Sequence, residues 1–376
     1  MSQKKNVVHL TTVHHPFDTR IYHKECLSLK EAGYDVTLIA PVDEQTKDQA
    51  EASKLNILPI KKHRNRWKRM LLGPLEVYKK AKKLKADVYH FHDPELIFVG
   101  WLLKTNNNKV IYDVHEDYYT SIMQKDYFAE PIKRIIGKLY NRIERFLIKR
   151  MELCLAEKYY HDRYGRGESI LNYPIVNEKL INKEIKHETT NEQLLYTGNV
   201  SEVRGAYYHA DIPKIMDKHV YFVGKCPSDL ADKMKEHAGV KQDFLHFDGI
   251  DQFVEREVID NYYINQNWVA GLAIFPATEH YVKKELTKFF EYMSAGLPII
   301  CSNFPTWQAF IDKHQCGIAV DPENPQEWID AVEFLQNNPI EAEAMGYNGR
   351  KAVLQELSWE SQEKKLVSWY EQLLTK

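Results

Sequence analysis

No Cys-x-x-Cys pair occurs anywhere in this chain, and its five cysteines (Cys26, Cys154, Cys226, Cys301 and Cys316) are scattered and odd in number. That spacing argues against a disulfide framework and a cysteine zinc site; it fits core thiols in a reducing cytoplasm. No apolar run reaches about 18 residues, so no transmembrane helix is expected. The opening Met-Ser-Gln-Lys-Lys-Asn leads straight into a strand pattern, so no signal peptide is expected. Low-complexity tracts and repeats at solenoid spacing are missing too. Charge of one sign is not in excess: 51 Lys and Arg face 53 Asp and Glu, for a net −2, which gives no case for nucleic acid as a partner. The first strand-to-helix loop lacks Gly-x-Gly-x-x-Gly, which argues against a dinucleotide site there.

What is present is alternation. Apolar residues make up 44% of 376 residues, enough for the cores of two domains. Strand and helix patterns alternate throughout, which predicts an α/β chain with parallel sheets. Val7–Val13 reads as a strand, Ile21–Ala32 as a helix ended by Gly33, and Tyr34–Ala40 as the next strand. Further strands are expected at 56–60, 87–92, 110–115, 153–156 and 169–172. A second set begins near Leu194, with strands at 220–224, 244–247, 270–275, 298–301 and 317–320. Residues 176–191 are polar and aperiodic and read as a linker. The first domain then spans 1–175 and the second 192–357, with a last helix over 358–376.

Chemistry-bearing residues gather where strands end and helices begin, the ligand-binding edge of a doubly wound sheet. Lys288 and Glu291 are three apart in the first turn of a helix after the strand 270–275, so they share a face. That helix start favours phosphate, Lys288 adds a cation, and Glu291 can accept from ribose hydroxyls. Taken alone they are an ordinary Lys and Glu at a helix start. Gly198-Asn-Val-Ser-Glu-Val-Arg204-Gly205 repeats the theme, a glycine loop with a guanidinium before a helix, suited to a diphosphate. In the other domain, Tyr-His90-Phe-His92-Asp93-Pro94-Glu closes a strand with both histidines on one face. His92 is there a candidate acid/base or sugar-hydroxyl ligand, or an incidental neighbour of an Asp93 helix cap. His115 and Glu116 end the next strand. Asp18 and Arg20 lie in the first loop, where Asp18 can also serve as a helix cap. The His/Glu/His grouping has no recognised metal spacing.

The string Glu291-Tyr-Met-Ser-Ala-Gly296-Leu-Pro298 closely resembles the signature of retaining glycosyltransferases of the GT-B fold, glycosyltransferase family 4. His90-Phe-His92-Asp93-Pro94 resembles the same family's His-x-His-Glu/Asp-Pro, and His15-Pro-Phe-Asp18-Thr-Arg20 the opening of one of its branches. The resemblance implies two Rossmann-like doubly wound domains facing a central cleft, with the last helix crossing back to the first domain. It implies His92 beside the donor sugar and acceptor, Gly198, Arg204 and Lys288 at the donor diphosphate, and Glu291 on the ribose. Asp18, Arg20, His115 and Glu116 then line the acceptor side or the cleft. Two positions depart from the family pattern: Lys283 replaces the first glutamate of Glu-x7-Glu, and Asn199 replaces an arginine.

The implied activity is hexosyl transfer, independent of metal and of any cofactor. A nucleotide-diphosphate sugar is the co-substrate, and an envelope glycan or lipid-linked saccharide is the acceptor. Two basic segments suggest where it works. Residues 61–85 carry eleven Lys or Arg against Glu76 alone. Residues 131–150 carry seven against Glu144 alone, with an apolar stripe through Ile132, Ile135, Ile136, Leu139, Ile143, Phe146 and Leu147. With Trp67 and Met70 they predict peripheral attachment to an anionic membrane, at its cytoplasmic face. Two rival readings remain: a sugar-nucleotide epimerase on the same scaffold, and a degenerate, non-catalytic partner subunit.

Overall fold

The computed structural model describes residues 4–63, 65–115, 130–278 and 281–375. It divides into two compact units, 1–172 with 359–376, and 173–358. The first holds a seven-stranded parallel sheet of order β3-β2-β1-β4-β5-β6-β7. Its strands are β1 Asn6–Leu10, β2 Asp35–Val42, β3 Asn56–Lys61, β4 Val88–Phe91, β5 Lys109–Val114, β6 Glu152–Leu155 and β7 Glu168–Ser169. The order reverses between β1 and β4, which pair in register from Val7↔Val88 to Leu10↔Phe91. That reversal parts the loops leaving the two strands and opens a crevice at their C-terminal ends.

The second unit holds a six-stranded parallel sheet, β10-β9-β8-β11-β12-β13. Here β8 is Gln193–Thr197, β9 His219–Cys226, β10 Leu245–Ile250, β11 Ala270–Ala273, β12 Ile299–Ser302 and β13 Gly317–Val320. Its reversal lies between β8 and β11. Both sheets are covered on two faces, so their central strands are nearly continuous runs of buried Val, Ile and Leu.

Three sequence expectations change. The stretch read as a linker belongs to the second unit: it forms a short helix, Glu178–Ile181, and buries Leu180 and Ile185. Lys183 anchors it by donating to the carbonyls of Tyr263 and Gln266. The strand expected at 169–172 is only the two residues of β7. The helix expected from Ile21 begins instead as a π-helix over Thr19–Cys26 and turns α only at Leu27–Glu31. A π-helix is uncommon and tends to mark functional positions. This one brings Arg20 and Glu25, five residues apart, to bear on the same buried carboxylate and histidine group.

The final helix, Trp359–Thr375, packs into the first unit. Trp359, Leu366, Tyr370 and Leu373 join the core formed by Ile21, Cys26, Val36 and Ile111.

Candidate functional site

The crevice of the first unit is built on β1, β4 and β5. Asp113 is the last-but-one residue of β5 and fully buried. Arg20, held over it by the π-helix, forks onto it: Nε donates to Oδ2 at 3.0 Å and NH2 to Oδ1 at 2.8 Å. The same Oδ2 lies 3.0 Å from His92 Nδ1 and 2.6 Å from His115 Nε2. His92 Nε2 in turn lies 2.9 Å from His9 Nδ1. His90 Nδ1 meets the Tyr370 hydroxyl at 2.7 Å.

One guanidinium thus faces two buried carboxylates, Asp113 and Glu25. Asp113 takes the fork; against the cost of burial, Arg20 and then His115 hold its carboxyl well below the usual range. Glu25 goes the other way: burial and the Asp113 charge push its carboxyl well above the usual range. Burial lowers His92 to about 4 and pushes His9 and His90 well below an ordinary histidine. Burial thus favours the neutral ring in all three.

Two expectations need correction here. His92 is 2% exposed and both of its ring nitrogens are engaged, so it does not present a free nitrogen to a ligand. Arg20 is 3% exposed and clamps Asp113 instead of facing an acceptor or a phosphate. The groups that reach the surface are His115, His14 and Asp18. His14 stacks on His115 at 5.4 Å, and its ring nitrogens lie 3.5 Å from Asp18 and 3.3 Å from Asp93. Asp18 caps the π-helix, accepting from the amides of Arg20 and Ile21. Despite partial burial, His14 and the Ile21 amide hold its carboxyl well below the usual range. Asp93 caps nothing: its carboxylate accepts from the Thr11 hydroxyl and the Thr12 amide. Glu116 lies outside the described residues.

His9, Glu25, His90 and His92 are close enough to hold a metal ion, as are His92, Asp113 and His115. Asp113, His115 Nε2 and both nitrogens of His92 are already engaged with one another, with His9 and with Arg20, while His9 Nε2, His90 Nε2 and the Glu25 oxygens have no hydrogen-bond partner; the Arg20 guanidinium lies against both carboxylates, where it would repel a cation. That arrangement fits a hydrogen-bonded network better than a cation site.

The second unit's crevice is built on β8 and β11. Gly198, at φ +89°, turns the chain out of β8, and its amide donates to the Val223 carbonyl, so that amide is not free for an anion. Gly205, at φ +77°, opens the helix Ala206–Met216 against the β11 loop; a Cβ there would lie 1.9 Å from the Ile274 carbonyl oxygen. Between them Arg204 is fixed by the Tyr281 hydroxyl, 2.8 Å from Nε, and by the Asn199 carbonyl. Glu291 lies on the helix Thr287–Ala295 and accepts from Arg256 and from the Tyr263 hydroxyl. Lys288 is not the exposed cation expected of a first turn. It is 8% exposed, its Nζ lies 3.4 Å from the Tyr196 ring centroid and 5.1 Å from that of Phe275, and it has no hydrogen-bond partner. Burial, then Arg204, lowers its pKa well below that of an ordinary lysine. Lys283 is exposed.

His9, Glu25 and the structural part of Asp113 were missed by sequence reasoning. The signal was there: a histidine within Val7-Val-His9-Leu and an aspartate within Ile111-Tyr-Asp113-Val are polar residues in strands buried on both faces, and such residues need partners.

Two doubly wound parallel sheets, each with polar groups at its switch point, are the architecture of the GT-B fold. The description "Glycosyltransferase Family 4" matches residues 19–158, and "Glycosyl transferases group 1" matches residues 252–352. The chain belongs to this family of glycosyltransferases. It is 23% identical over 296 residues to the D-rhamnosyltransferase WbpZ of Pseudomonas aeruginosa, covering 73% of this chain and 71% of that one. A glycosyltransferase from Rickettsia africae superposes with a TM-score of 0.71 at 14% identity, covering 99% of each chain. Anabaena Alr3699/HepE, in complex with UDP-glucose, does so at 0.68 and 11% identity, over 98% of this chain and 99% of that one. These two likenesses are of fold.

Proposed function

We propose that the protein moves a hexose from a nucleoside diphosphate sugar to a glycan or lipid-linked saccharide, with retention of anomeric configuration and without a metal ion. The observation that carries this reading is the crevice between β8 and β11: a glycine-bounded loop, Arg204 held by Tyr281, the partnerless Lys288 and the Glu291 carboxylate. The two cations meet a diphosphate and stabilise it as the leaving group. Glu291, oriented by Arg256 and Tyr263, accepts from ribose hydroxyls. The complex of Alr3699/HepE with UDP-glucose supports a nucleotide sugar as donor. His115, with His14 and Asp18 beside it, offers the polar groups for a sugar or acceptor hydroxyl. His92 acts behind it.

The acceptor is membrane-borne in this reading. Among the described residues no helix is long and apolar enough to cross a membrane. Trp67, Leu71 and Leu75 on the helix Arg66–Leu84 are exposed, as are Phe98 and Leu102 on Ile97–Leu103, and Leu139 and Phe146 on Glu130–Leu147. The three helices pack side by side. Apolar side chains among this many Lys and Arg suit the headgroup region of an anionic bilayer.

A panel of nucleotide sugars tests the reading. One of them should raise the melting temperature and be turned over slowly, and proton NMR of the product should show the donor's anomeric configuration. No stabilisation by any member, or an inverted product, would sink it.

A further inference from the structure

His115 is the one member of the Asp113 group that is both hydrogen-bonded to the buried network and partly open, with its side chain 16% exposed. The network determines where its proton sits. Asp113 Oδ2 receives Arg20 Nε, so it is ionised and can only accept. The two ring nitrogens beside it, His92 Nδ1 and His115 Nε2, are 3.1 Å from each other and must each point a hydrogen at that oxygen. His92, protonated on Nδ1, then accepts on Nε2 from His9 Nδ1, which leaves His9 Nε2 a lone pair without a partner, as found. Every assignment follows from the Arg20 fork. The Tyr160 hydroxyl, donating to the His115 carbonyl at 2.9 Å, holds the backbone. His115 Nδ1 has no hydrogen-bond partner among the described residues.

We propose that Arg20 and Asp113 are positioning residues that lock His115 in the Nε2–H tautomer, so that its Nδ1 lone pair is presented to a hydroxyl of the sugar or acceptor. This rests on the reading that His115 takes part in the transfer. The π-helix is the device that makes it possible, because it lays Arg20 across the end of β5 with Glu25 beside it. The cost of the uncommon helix is offset at a place where a fixed tautomer matters. A lysine at position 20 would keep the charge but lose the fork.

The test has a readout that activity cannot mimic. Full-length protein labelled with 15N-histidine is examined by long-range proton–nitrogen spectra, above the pH at which the ring loses its second proton, with His115→Gln to assign the signal. The wild-type ring should carry its proton on Nε2; a proton on Nδ1 would overturn the proposal without any further variant. In Asp113→Asn, Arg20 takes the amide oxygen and the amide nitrogen faces the two rings, so His115 should switch to the Nδ1–H form. Turnover should fall about 10²-fold or more, with donor KM little changed. An unchanged tautomer in a folded Asp113→Asn protein would overturn the positioning role. A switched tautomer with wild-type turnover would uphold the positioning and defeat the reading that His115 serves the reaction.

Discussion

Lys288 is the residue at which sequence and structure disagree most usefully. Spacing put it on a helix face with Glu291, and both do lie on one short helix. Spacing could not show that Tyr196 and Phe275, distant in sequence, close over its ammonium group. The same limit applied to His92: alternation placed it correctly on the face of His90, but only packing revealed the His9 and Asp113 contacts that occupy it. Lys288 therefore carries opposite effects on stability and on binding. Its folded pKa is depressed, so below the ordinary lysine value of 10.5 the unfolded chain binds a proton that the fold disfavours. Stability contributed at this site should rise with pH across that window. Lys288→Met, which removes a buried donor without a partner, should stabilise the free protein by about 1–3 kcal/mol and flatten that rise. It should weaken nucleotide-sugar binding at least tenfold, because the diphosphate loses a charged partner worth about 1.5–3 kcal/mol. Denaturant midpoints against pH and calorimetry with the donor check the two signs. A variant weaker in both would show that Lys288 supports the fold and has no separate part in donor binding.

At the scale of elements, the strands and their order of appearance were legible because buried parallel strands are short apolar runs between helix periods. Their ends were legible because Gly, Asp and Pro punctuate them. What was not legible was the π-helix. Residues 19–26 carry the same apolar spacing as the first turns of an α-helix, with Ile21, Tyr22 and Cys26 all buried. The extra residue per turn answers to the placement of Arg20 and Glu25, a tertiary demand that no local pattern contains. Deletion of the exposed His23 should let this segment fall into α geometry and swing Glu25 and Cys26 off the sheet. Arg20 or Glu25 would lose its place in the buried charge group, and breaking a buried ion pair costs about 3–5 kcal/mol. Thermal denaturation should show a large loss. A deletion variant as stable as the wild type would mean that the segment tolerates either helix, and that the π form has no energetic role.

For the whole molecule, the same polar groups that occupy the strand ends leave the helices on the flank of the first sheet free to meet another surface. The buried Glu144, accepting from Arg163 and from the Tyr164 hydroxyl, fixes the rotation of the helix Glu130–Leu147. That rotation keeps Leu147 in the core and Leu139 and Phe146 outside. A soluble protein with no use for that face would be expected to bury it or make it polar, and neither has happened. Binding to vesicles should therefore have two separable parts. The part due to Lys and Arg should need anionic lipid and decline with salt, because surface attraction is screened over about 10 Å at 0.1 M. The part due to side-chain insertion should persist at high salt and be lost in Trp67→Ser with Leu71→Ser and Phe146→Ser. These three positions are exposed and lie outside the polar crevices, so turnover on a water-soluble acceptor should remain at the wild-type level while turnover on a lipid-linked one falls. Sedimentation with vesicles of graded anionic lipid content, at low and high salt, measures both parts. If the wild-type protein ignores anionic vesicles even at low salt, the exposed face has another purpose and the acceptor need not be membrane-borne.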